Sequence, residues 1–134
     1  MNKCEIEVKV RYSECDSMGV VHHRNYFTWF EMARFAFLEA AGINFHELEK
    51  QQILFPVIKA ECNYRKSITF DDELIISATL KLNQTARLDF QYRIYEKKSH
   101  ALMATGATSQ AITIPGKGIL MKFPDDFREK IENA

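Results

Sequence analysis

The chain has 134 residues, 46 % of them hydrophobic, with 18 Lys plus Arg against 18 Asp plus Glu. That length and apolar content suit one globular domain, residues 1–134, and exclude a disordered chain. A formal net charge of +0 gives no electrostatic case for nucleic acid or an anionic membrane surface, and it does little to keep copies of the chain apart.

In chain order, Cys4, Ile6, Val8, Val10 and Tyr12 alternate with Glu5, Glu7, Lys9 and Arg11. Period two predicts a half-buried strand opening directly from Met1-Asn2-Lys3. Ser13 to Gly19 is turn-like. From Arg24 to Ala41 there is neither Gly nor Pro, and Gly42 follows as a stop, which predicts a helix of roughly five turns. Tyr26, Phe27, Trp29, Phe30, Met32, Phe35, Phe37 and Leu38 cover most of its circumference. A helix of that kind is expected to be wrapped by the rest of the fold. Asn44 and Glu47 stand at capping-box distance, predicting a short helix over Phe45 to Gln51.

The second half predicts strands. One leads from Phe55-Pro56-Val57 through Ile58, Ala60, Cys62 and Tyr64, and Asp71-Asp72 marks a turn. Glu73 to Leu82, Leu88 to Glu96 and Leu102 to Ile114 follow, with turns near Asn83-Gln84 and Lys98-Ser99. Pro124-Asp125 opens a polar C-terminal helix. The plan is α+β: a strand, a buried helix, then an antiparallel meander for the helix to cover.

Cys4, Cys15 and Cys62 show no C-x-x-C spacing, against a disulfide framework or a structural zinc site. No basic start with an apolar h-region and no membrane-length apolar run occurs. A soluble, cytoplasmic protein is expected.

The candidate chemistry sits at the joint between first strand and long helix. Two roles fit Asp16. It can bond its own backbone as a turn residue. It can also face a helix N-terminus, whose free N–H groups hold an oxyanion while the carboxylate attacks a carbonyl or activates water. Gly19 permits close approach of backbone to ligand. His22 and His23 are neighbours, so at most one is expected in the site, and neither has metal-ligand spacing. Cys15, on the opposite side of an extended chain from Asp16, is expected to be a buried, inert thiol. Glu31, inside the apolar helix, is either a structural acid or a positioning group.

The run Val10-Arg11-Tyr12-Ser13-Glu14-Cys15-Asp16-Ser17-Met18-Gly19-Val20-Val21-His22-His23-Arg24-Asn25-Tyr26, followed by Phe30-Glu31-Met32-Ala33-Arg34, resembles the signature of the 4-hydroxybenzoyl-CoA thioesterase family, which includes the Tol-Pal-associated acyl-CoA thioesterases. The similarity continues in Phe55-Pro56-Val57, Asn63-Tyr64-Arg65 and Phe70-Asp71-Asp72-Glu73-Leu74. The resemblance implies a hotdog fold, a curled antiparallel sheet around a long central helix. It implies homodimers or homotetramers with active sites at the subunit interface, an acyl-CoA substrate, and no metal or redox cofactor. Carried over, Asp16 is the catalytic carboxylate and His23 offers its backbone N–H to the thioester carbonyl, with Asn25 and Tyr26 shaping the helix entry. Gly19 and Tyr26 are expected beside the substrate. Arg65, Lys66 and Arg87 are candidate partners of the CoA phosphates, and Phe27, Phe55 and Val57 candidate walls of an acyl pocket.

Cys15, His22 and Ser67 depart from the residues common in that family, and the acyl specificity is what they leave open. The implied activity is hydrolysis of an aromatic or short-to-medium acyl-CoA. Two alternatives carry the same fold: a non-catalytic acyl-CoA-binding module, and a dehydratase using His23 with Glu31.

Overall fold

The structure, a computed structural model, describes residues 3–81, 83, 85–124 and 126–133. Met1, Asn2, Leu82, Gln84 and Asp125, where three expected element ends and one turn fall, lie outside them. Five strands form one antiparallel sheet: β1 (Lys3–Lys9), β2 (Val57–Tyr64), β3 (Glu73–Lys81), β4 (Leu88–Glu96) and β5 (Leu102–Gln110), in the order β1-β3-β4-β5-β2. The helix α1 (Arg24–Ala40) packs across one face of it. The helix ends as expected. Gly42 takes φ 86°, the Ile43 N–H reaches back to the Leu38 carbonyl at 3.0 Å, and Gly42 N–H to Glu39 at 3.0 Å, the paired bonds of a glycine-terminated helix. Asn44 caps α2 (Phe45–Lys50) by accepting from Glu47 N–H at 3.2 Å.

The core joins α1 to the inward side of the sheet. Trp29, Phe30, Ala33 and Phe37 meet Ile76, Phe90, Tyr92 and Ile94. Phe30 stacks on Tyr92 with ring centroids 4.4 Å apart. At Gly106 a Cβ would collide with the buried Phe30 ring.

Four expectations are corrected. The first strand stops at Lys9, and Tyr12 is 78 % exposed, because residues Tyr12–Glu14 turn into a short 3-10 helix that carries Glu14 inward. The long helix is not wrapped on all sides within one chain: Met32 and Phe35 remain 47 % and 44 % exposed. One sheet covers one face, and on the other Phe35 has only the edge of Phe45 against it, with ring centroids 4.9 Å apart. The last long strand breaks after Gln110. Ala111 and Ile112 turn into the core, and Thr113–Ile114 (β6) pairs with Gly118–Ile119 (β7) in a hairpin whose Gly116 has φ 78°. The C-terminal helix α3 (Phe127–Glu132) is amphipathic: Phe127 and Ile131 are buried, and Phe127 stacks against Phe55 and Phe123.

Candidate active site

The joint is built on Glu14, which the sequence patterning did not single out. Its side chain is buried, 5 % exposed. One carboxylate oxygen accepts from the Arg11 N–H at 2.8 Å and the other from the Trp29 indole N–H at 3.0 Å. The Glu14 carbonyl accepts from the His22 N–H at 2.9 Å and from Asn25 Nδ2 at 2.8 Å. Glu14 therefore ties the turn to the start of α1 through three hydrogen bonds, while the Arg11 bond closes the turn itself. The legible signal was Trp29: a buried indole N–H requires an acceptor.

From there the chain makes a tight loop. Cys15 bridges Val21, and Val20 bridges Thr69, with Val21 N–H on the Ile68 carbonyl at 2.8 Å. Asp16 lies at the exposed end. Its Oδ1 accepts from Met18 N–H at 2.8 Å and Val20 N–H at 3.2 Å. Among the described residues, Oδ2 accepts nothing. Both roles considered for Asp16 thus have an oxygen available, one holding the turn and one facing solvent. Gly19 is needed for its φ of 78°, and a Cβ there would meet open space. Its requirement within the chain is the left-handed backbone rather than close packing.

The two histidines separate cleanly. His22 Nδ1 accepts the Arg24 N–H at 3.2 Å, so it caps the helix. His23 is exposed, stacks on His22 with centroids 4.2 Å apart, and meets no backbone acceptor through its N–H among the described residues. A cleft of about 240 Å³ holds His23 with Val20, Tyr26, Tyr64, Arg65 and Lys66. Asp16 joins it through Val20, with which it exchanges hydrogen bonds. Arg87 does not come here within one chain; it lines a different pocket, with Asp89 and Met121.

Tyr26 is buried edge-on against Tyr64 at 4.7 Å. Burial, with Cys62 and Tyr64 beside it, pushes its phenol up to about 12, so it stays protonated and serves as packing at the cleft wall. Cys15 is only partly buried, not buried as expected, and its thiol is pushed up by desolvation and then by Asp16, Glu14 and Asp72. It is held as a thiol, in line with an inert role.

Glu31 is not beside His23. Its carboxylate faces Arg34 at 3.9 Å. Arg34 is buried and donates to the Tyr92 hydroxyl at 3.0 Å. Glu31 and Arg34 line a second cavity, about 380 Å³, with Phe35, Phe55, Val57 and Gln110. Phe55 and Val57 therefore share an apolar pocket as expected, and Phe27 is not part of it.

A family model described as the thioesterase-like superfamily matches residues 10–131. The chain belongs to that superfamily. This thioesterase has the hotdog fold: it superposes on the 4-hydroxybenzoyl-CoA thioesterase of Pseudomonas sp. strain CBS-3 with a TM-score of 0.85, covering 97 % of this chain and 99 % of that one at 15 % identity, a likeness of fold alone. A DHNA-CoA thioesterase from Staphylococcus aureus is similar at 29 % identity and a TM-score of 0.89, over 99 % of this chain and 91 % of the other. The acyl-CoA thioesterase YbgC of Haemophilus influenzae is 29 % identical over 131 residues, 95 % of this chain and 93 % of that one. The thioesterase carries no helix, among the described residues, long and apolar enough to cross a membrane.

Proposed function

We propose that this thioesterase hydrolyses an acyl-CoA to the free acid and CoA, with Asp16 as nucleophile or general base. The observation that carries the reading is the division of labour in the Asp16 carboxylate: Oδ1 is committed to Met18 and Val20, and Oδ2 is free to attack the carbonyl or take a proton from water. The thioester carbonyl would sit at the start of α1, where the His23 N–H and the helix dipole favour a developing oxyanion. Arg65 and Lys66, at the same cleft, would meet the CoA phosphates.

The site is proposed to be completed by a second copy. β2 is a sheet edge whose outer side is unpaired in the order β1-β3-β4-β5-β2, and it exposes Val57, Ile58 and Tyr64. Long apolar edges of this kind call for a partner. Antiparallel pairing of two β2 edges about a two-fold axis would set Val57 of one copy beside Tyr64 of the other. The apolar cavity of one protomer would then adjoin the His23 cleft of its partner. Dimers of this kind, alone or paired into tetramers, working in the cytoplasm, complete the reading.

The test is thiol release from a panel of aromatic and aliphatic acyl-CoAs by wild type and Asp16→Asn. Hydrolysis of one class, reduced by roughly 100-fold or more in the variant, supports the proposal. Near-normal turnover by Asp16→Asn removes Asp16 from the chemistry. Tight CoA binding with no release from any thioester would leave a binding module instead.

A further inference from the structure

The peptide group between His22 and His23 carries the N–H offered to the oxyanion in the reading above. The other end of that group, the His22 carbonyl, accepts twice from one residue: from the Asn25 backbone N–H at 3.0 Å and from Asn25 Nδ2 at 3.2 Å. Nδ2 also donates to the Glu14 carbonyl at 2.8 Å. Both neighbours of this nitrogen are carbonyl oxygens, which accept and never donate, so the amide can be oriented only one way. The Glu14 carbonyl takes the His22 N–H as well, at 2.9 Å, and the Glu14 carboxylate is held by Arg11 and Trp29. Asn25 therefore bridges the two halves of the site, the turn leading into Asp16 and the peptide at the start of α1.

That bridge acts on the donor itself. In a trans peptide the C=O and N–H point in opposite directions, so fixing the His22 carbonyl on Asn25 aims the His23 N–H away from it. Hydrogen bonds to a carbonyl also polarise its amide and make the N–H a stronger donor. We propose that Asn25 is a positioning residue for the reaction, holding the His22–His23 peptide so that the His23 N–H meets the thioester carbonyl in register with Asp16. The inference rests on the thioesterase reading of this site.

The experiment measures kcat on benzoyl-CoA and octanoyl-CoA for wild type, Asn25→Ala, His23→Pro and the double variant. It also measures the affinities of two inert analogues of each substrate: a ketone with CH2 in place of the thioester sulfur, and a thioether with CH2 in place of the carbonyl. The ketone keeps the oxygen that the His23 N–H would meet and the thioether lacks it, so their affinity ratio reports that bond. A ratio taken within one protein is insensitive to loss of folded material. Asn25→Ala is expected to lower kcat by roughly tenfold or more and to bring the ratio down to that of His23→Pro. In the His23→Pro background it is expected to cost less than about threefold further, because the group it positions is gone. A merely structural Asn25 would lower turnover by the same factor in both backgrounds and leave the ratio unchanged; either result overturns the proposal. A ketone preference in wild type that Asn25→Ala abolishes, with neither thioester hydrolysed, would sustain Asn25 and remove the hydrolase reading. Rapid hydrolysis that Asn25→Ala retains in full would do the opposite.

Discussion

The indole N–H of Trp29 donates to the carboxylate of Glu14 at 3.0 Å, with both side chains buried. This bond crosses from the turn before the loop to the second turn of α1, so the position of Asp16 depends on it. Asp16 itself is exposed and is held only within its own loop among the described residues, by Met18 and Val20 at its carboxylate and by Gly19 and Val20 at its backbone. Glu14→Ala leaves the indole N–H and the Arg11 N–H without acceptors. It is expected to lower stability by about 2–4 kcal/mol, given roughly 1.5–3 kcal/mol for a hydrogen bond to a charged group. Urea unfolding measures it. Unchanged stability would show that the turn is held from elsewhere.

His23 allows its ring and its backbone to be tested apart. Its φ of −55° suits proline. His23→Ala removes the ring and keeps the N–H; His23→Pro removes the N–H as well. Turnover is expected to fall less than tenfold in the first and roughly 100-fold or more in the second, with circular dichroism showing α1 intact in both. Equal losses would assign the role to the ring.

Gly106 faces the Phe30 ring, which is fully buried and stacked on Tyr92. Gly106→Ala is expected to cost about 1–3 kcal/mol through overpacking, read as a lower denaturant midpoint with an unchanged slope. A neutral effect would mean that α1 can lift from the sheet at this point.

Tyr26 links the cleft wall to alkaline stability. Its phenol is pushed up to about 12 from an ordinary 10.0 by burial, so the folded state holds the proton more tightly than the unfolded state. The stability this contributes is complete below pH 10 and is lost as the pH rises through the folded value. Urea midpoints measured from pH 9 to 11 are expected to fall more steeply in wild type than in Tyr26→Phe. Parallel curves would show that Tyr26 ionises freely in the folded protein.

What could be read from the chain alone was what depends on near neighbours. The period-two strands, the helix stop at Gly42, the Asn44 cap and the turn chemistry of Asp16 and Gly19 are all set within a few residues. The family followed from the local run between Val10 and Arg34 together with the short anchors at Phe55-Pro56-Val57, Asn63-Tyr64-Arg65 and Phe70 to Leu74. The rest depended on pairing between distant segments. Glu14 looked like one more turn residue until Trp29, fifteen positions on, drew it into the core. Arg65 and Lys66 reached the His23 cleft and Arg87 did not, because the β1-β3-β4-β5-β2 order carries the end of β2, but not the start of β4, to that joint. Gln110 Oε1 finds no donor among the described residues, at a point where the strand ends and Ala111 and Ile112 turn inward. Local sequence determined the elements and the reactive joint; long-range packing decided which side chains share a cavity, since that depends on strand order and on what each face finds opposite it.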